Sequence, residues 1–191
     1  CGLSFKGMRT VKKTTTFLAR VLCSAFVAIG LGGCLGVPEG AQPVEDFKME
    51  QYLGTWYEIA RLDHSFERGL SSVTAQYSLR DDGGVRVINR GFDANDGSWS
   101  EAEGKAYFVG EPSVGMLKVS FFGPFYGAYN IIALDQQAYQ WSLVVGPDTD
   151  YLWILARTQT LDPSVVEQLV AEAKRLGFKT ESLIFVNQER H

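Results

Sequence analysis

The chain has 191 residues, 20 of them glycine and 13% aromatic, which allows one domain with a real core and suits many short strands joined by turns. Formal net charge is −4, but residues 1–33 hold five basic side chains and no acid, leaving 13 basic against 22 acidic residues in the remainder, a net of −9. A body that acidic is a poor partner for nucleic acid, so no nucleic-acid role is expected.

The chain opens on residues 1–7, which precede a plausible start at Met8. Met8-Arg9-Thr10-Val11-Lys12-Lys13 is a positively charged leader, and the apolar run Phe17 to Leu31 follows, interrupted by Arg20 and a serine. That run is too short and too glycine-rich at its end for a comfortable membrane-spanning helix. It ends Leu31-Gly32-Gly33-Cys34, which resembles a bacterial lipobox. The resemblance implies cleavage after Gly33, a diacylglycerol on the Cys34 sulfur and an acyl group such as palmitate on the new amino terminus. The alternative is an ordinary secretory signal with a chance cysteine, or a retained membrane anchor. Two or more acyl chains hold stably where one would be marginal. Leu35 in place of aspartate after that cysteine implies sorting to the outer membrane of a Gram-negative cell, facing the periplasm. Cys1 and Cys23 fall in the discarded segment, so Cys34 is left alone and no intramolecular disulfide can form. Residues 1–33 thus read as signal peptide, 34–46 as lipidated N-terminus and tether, and 47–191 as the folded domain.

Met49 to Leu53 can form one helical turn, after which Gly54-Thr55-Trp56-Tyr57-Glu58-Ile59-Ala60-Arg61 begins a sheet. Gly54 lets the backbone turn closely, and Trp56 is a broad plug for the end of a barrel. Ser72 to Arg80 alternates apolar and polar residues, Asp81-Asp82-Gly83-Gly84 is a hairpin turn, and Val85 to Phe92 alternates again. Further strands are expected at Ser98 to Val109, Val114 to Phe122, Tyr126 to Leu134, Tyr139 to Val145 and Tyr151 to Thr158, making eight. The longest connection, His64 to Ser71, lies between the first two. Ile131-Ile132-Ala133-Leu134 and Leu152-Trp153-Ile154-Leu155 are apolar on both faces, so something must cover the outer one. The cover is a helix capped by Asp162-Pro163, with Val165, Val166, Leu169, Val170, Ala173 and Leu176 as its apolar stripe and Gly177 as its stop. Ser182 to Asn187 is a trailing strand. The expected fold is all-β: an eight-stranded antiparallel up-and-down barrel, one C-terminal helix on its wall and a short extra strand. Arg157, closing the strand Asp150 to Arg157, can stack its guanidinium on Trp56 and shut the base.

Three separated motifs then narrow the reading: Arg61-Leu62-Asp63-His64-Ser65-Phe66-Glu67-Arg68-Gly69, Val119-Ser120-Phe121-Phe122-Gly123-Pro124-Phe125-Tyr126-Gly127 and Tyr151-Leu152-Trp153-Ile154-Leu155. With the Gly54–Trp56 and Arg157 signatures they resemble the lipocalins, and within them the bacterial outer-membrane lipoproteins related to apolipoprotein D. The similarity spans Phe47 to about Asn187. It implies a lid made by the loop after the first strand, and a lipid ligand such as a fatty acid or lysophospholipid, held for storage or transport in the envelope. A homodimer is also within what that resemblance implies.

Inward-facing candidates for the pocket are Val73, Ala75, Tyr77, Val85, Val87, Ala106, Phe108, Leu117 and Val119, an apolar sleeve suited to an acyl chain. Arg61, His64 and Arg68 are candidates for a head group at the mouth, or else solvated loop charges. Gly54, Trp56 and Arg157 are expected to be structural. Trp141 and Trp153 read as core or wall packing. No catalytic residue, cofactor or metal set is expected: His64 and His191 have neither metal-ligand nor Ser–His–Asp spacing. Glu58 and Asp63 beside His64 can be posed as an acid–base group, but a charged strand edge explains them equally. The rival functions are an envelope scaffold with a filled interior, and a carrier of haem, retinoid or another apolar ligand.

Overall fold

A computed structural model describes residues 35–189; the leader and Cys34 lie outside the described residues. One turn of helix, α1 (Met49–Tyr52), leads into eight antiparallel strands: β1 (Gly54–Arg61), β2 (Leu70–Leu79), β3 (Val85–Asp93), β4 (Ser98–Phe108), β5 (Met116–Ser120), β6 (Gly127–Leu134), β7 (Trp141–Val145) and β8 (Leu152–Ala156). Each pairs with the next, and β1 pairs with both β8 and β2, so the sheet closes into a barrel without free edges. Helix α2 (Pro163–Arg175) follows, then a 3₁₀ turn at Thr180–Ser182. The last strand, β9 (Ile184–Phe185), pairs with Ala60 and Arg61 of β1. The trailing strand has two residues where six were expected: Ser182 belongs to the 3₁₀ turn, and beyond Phe185 the Val186 amide still donates to the Ile59 carbonyl at 3.0 Å.

Two apolar cores hold the fold. The inner one fills the barrel's closed end around Phe47, Tyr52, Trp56, Ile131 and Val144. The outer one lies between α2 and the wall, where Leu169 and Ala173 meet Leu143, Val145, Leu152 and Ile154. That is why β7 and β8 are apolar on both faces. Asp162 caps α2 by accepting from the Ser164 amide at 2.8 Å, and Gly177 ends it in the left-handed region at φ 86°.

The stretch before the barrel is not a free tether. Val44 donates to the Ile131 carbonyl at 2.8 Å and accepts from the Gly115 amide at 2.8 Å, so it is stitched between two strands of the wall. Ala41 is buried in the outer core and Val37 packs against it.

Candidate ligand cavity

The closed end is sealed by the residues expected there. The Arg157 guanidinium carbon sits 4.0 Å from the Trp56 ring centroid. Arg157 also donates to the carbonyls of Thr55 at 2.9 Å, Gln51 at 2.7 Å and Tyr139 at 3.2 Å, tying α1 and the β6–β7 turn to the barrel base. Trp56 Nε1 donates to the Tyr52 carbonyl at 2.8 Å. Gly54 has φ 93°, and a side chain there would start 3.4 Å from the Arg157 guanidinium. Glycine at this point is thus a matter of backbone conformation as much as space.

Above this plug lies a cavity of about 700 Å³, open at the other end. Val73, Ala75, Tyr77, Val85, Val87, Ala106, Leu117 and Val119 all line it. Phe108 does not: it packs beneath, with its ring centroid 6.1 Å from that of Phe47. The floor carries a hydroxyl chain that sequence alternation indicated only through Tyr77. Tyr77 Oη lies 2.8 Å from Tyr129 Oη, which lies 2.9 Å from Tyr52 Oη, and Ser142 Oγ completes the chain at 3.1 Å from Tyr52. Burial pushes the Tyr52 hydroxyl up to about 12 and those of Tyr77 and Tyr129 well above the usual range, so all three stay neutral. Phe66, Phe122 and Phe125 line the mouth and are 60%, 81% and 79% exposed.

The three cationic mouth candidates are placed differently from the expectation, and none lines the cavity. Arg68 is on the outer surface, paired with Asp63 at 2.6 Å. His64 is buried outside the cavity, stacked against Phe66 and Tyr151 with centroids 5.3 Å and 4.8 Å away. Burial first, then the Arg61 charge, hold its imidazole below the usual histidine range.

Arg61 is 1% exposed, inside the wall. A β-bulge between Glu58 and Ala60 shifts the strand's phase, so Arg61 comes to the same side as Glu58 and donates to its carboxylate at 2.6 Å. Its other amino group donates to the carbonyls of Glu67 at 2.8 Å and Leu70 at 3.3 Å, which fastens the loop 62–69 over the barrel. Glu67 folds back from that loop, and its carboxylate accepts from Trp153 Nε1 at 3.0 Å.

Glu58 and Glu67 therefore line the cavity as a polar patch under the lid. Glu58 is not a charged strand edge, and Asp63, turned outward to Arg68, is not its partner. Burial above all, and then the neighbouring Glu67, push the Glu58 carboxyl up to about 8; burial likewise raises Glu67. Sequence reading missed this role for Glu67, and the loop's own sequence carried no signal of it.

Residues 47–188 match a family model described as a lipocalin-like domain. The chain is 53% identical over 169 residues to the outer membrane lipoprotein Blc of Vibrio cholerae, covering 88% of this chain and 96% of that protein. It is 36% identical over 177 residues to bovine apolipoprotein D, covering 83% and 91% respectively. Among solved structures, insecticyanin from the tobacco hornworm superposes with a TM-score of 0.64 at 19% identity, over 80% of this chain and 86% of that one. At that identity the likeness is one of fold alone.

Proposed function

The chain belongs to the lipocalin family, and from that premise we propose that it binds a long-chain lipid, a fatty acid or lysophospholipid, in its barrel and stores or carries it in the envelope. The carrying observation is the apolar cavity of about 700 Å³, within the size range of small-molecule sites. Burying a chain of about sixteen carbons in it would release about 12 kcal/mol gross, before ordering costs. A scaffold with a filled interior would lack such a space. His64 does not line the cavity, so it is not placed to act as an axial ligand to a haem there. The protein is an outer-membrane lipoprotein, as its bacterial relative is named, and Cys34 is the residue that would carry the acyl chains.

The test is native mass spectrometry of the chain expressed without its leader and with Cys34→Ser, since among the described residues every strand, both α-helices and both cores lie within residues 37–189. Co-purifying lipid at one per barrel, or stoichiometric uptake of added oleate or lysolipid, is expected. A barrel that stays lipid-free under both conditions sinks the carrier reading.

A further inference from the structure

At the top of the cavity, two buried carboxyls meet one buried guanidinium. Glu58, Arg61 and Glu67 are 3%, 1% and 6% exposed. Buried charge persists only when paired, and one Arg61 can balance one carboxylate. The neighbouring groups do not supply the second cation. Arg68 is spent on Asp63 at the surface. His64 is held neutral at neutral pH by its burial and by Arg61. Arg90 reaches the cavity wall from β3 but is exposed, its guanidinium stacked 4.2 Å from the Trp99 ring centroid. Asp148, at the mouth, and Asp150 beside it are further acids, and the Tyr151 and Trp153 side chains of the β8 end carry no positive charge. With both carboxyls ionised, the polar end of the cavity would be one positive charge short.

A second observation points the same way. Asn89 Oδ1 and Ser120 Oγ, both on residues that line the cavity, are buried atoms with no hydrogen-bond partner among the described residues, and Ser120 is only 4% exposed. Asn89 Oδ1 can only accept, and Ser120 Oγ can also accept. Both unpartnered lining atoms can accept, while Arg61 Nε, inside the wall, is an unpartnered buried donor. A ligand that satisfies the two lining acceptors brings N–H or O–H groups.

We propose that Glu58 and Glu67 form a head-group subsite for a primary ammonium, so that the cavity selects a single-chain amino lipid over one ending in a carboxylate. The inference rests on the lipid-binding reading above. An ammonium offers three donors to the two carboxyls and restores charge balance with Arg61. In the protein by itself a proton does that work, held on Glu58 by burial and by Glu67. A fatty-acid carboxylate would meet like charge instead.

The experiment titrates the leaderless Cys34→Ser chain near neutral pH with three probes sharing one oleoyl chain. They are lysophosphatidylethanolamine, amine-free lysophosphatidylglycerol, and oleate, read by calorimetry and tryptophan quenching. Lysophosphatidylethanolamine is expected to bind at least about tenfold more tightly than either amine-free probe. In Glu67→Gln, that preference is expected to shrink to about twofold or less. Equal binding of all three probes by the native sequence overturns the subsite while leaving lipid binding intact. Failure of all three to bind overturns the lipid reading itself, and the subsite with it. The native-sequence comparison decides even if Glu67→Gln proves unstable.

Discussion

Two arginines of this barrel show how position decides what a guanidinium is worth. Arg157 straps the closed end from outside, half-buried, with three carbonyls and an indole face as partners. Its hydrogen bonds can be replaced in part by water. Arg157→Leu is therefore expected to cost about 2 kcal/mol in urea unfolding. Arg61 is sealed in the wall, where its loss would leave two carboxyls buried without a counter-charge and two lid carbonyls without a donor. Arg61→Leu should cost more, about 3–5 kcal/mol. Equal costs for the two would mean that the Glu58–Arg61–Glu67 cluster is solvated, contrary to its burial.

Among the elements, α2 is separable from the ligand cavity because the barrel wall stands between them. Its Leu169 sits at 1% exposure in the outer core, and none of the helix lines the cavity. Leu169→Ala should lower stability by about 2–4 kcal/mol and leave lipid affinity within about twofold of the native value at temperatures where the variant stays folded. A large affinity loss at full folding would show that the wall transmits strain from helix to cavity. This element was legible in the sequence: its cap, stripe and glycine stop are local signals, and the doubly apolar β7 and β8 announced the face it covers. The inward alternation of β2, β3 and β5 was legible for the same reason, since period-two patterning is written in the strand itself. What was not legible depends on contacts between distant segments. The bulge at Glu58 reverses the facing of Arg61, so a residue expected at the mouth beside the lid is a buried latch. Phe108 shares the apolar phase of its strand, yet Phe47 from the N-terminal stretch claims its ring below the cavity. Residues 37–46 read as a linker from their prolines and glycines, although Val44 and Ala41 dock on the wall.

For the whole molecule, the buried acids set how stability follows pH. A carboxyl whose pKa is raised on folding binds its proton more tightly in the folded than in the unfolded chain. Its contribution is complete below the unfolded value of about 4.3, and it is lost as pH rises through the folded value. For Glu58 that window runs from the ordinary carboxylate range to about 8, and Glu67 moves in the same direction. The acids with lowered pKa, among them Asp63, Asp82 and Glu103, are exposed, so their opposite effect in acid is screened and small. The three floor tyrosines add a second loss at strongly alkaline pH. The urea midpoint is therefore expected to peak in mild acid and to decline towards about pH 8, with a further fall above about pH 10. Glu58→Gln should flatten the first decline and leave the second, whereas Tyr129→Phe should do the reverse. A profile that rises from mild acid to about pH 8 would mean that both carboxyls are ionised and solvated throughout. The same measurement bears on the ligand. An ammonium seated between the carboxyls replaces the proton, so saturating lysophosphatidylethanolamine should shrink the first decline, and oleate should not.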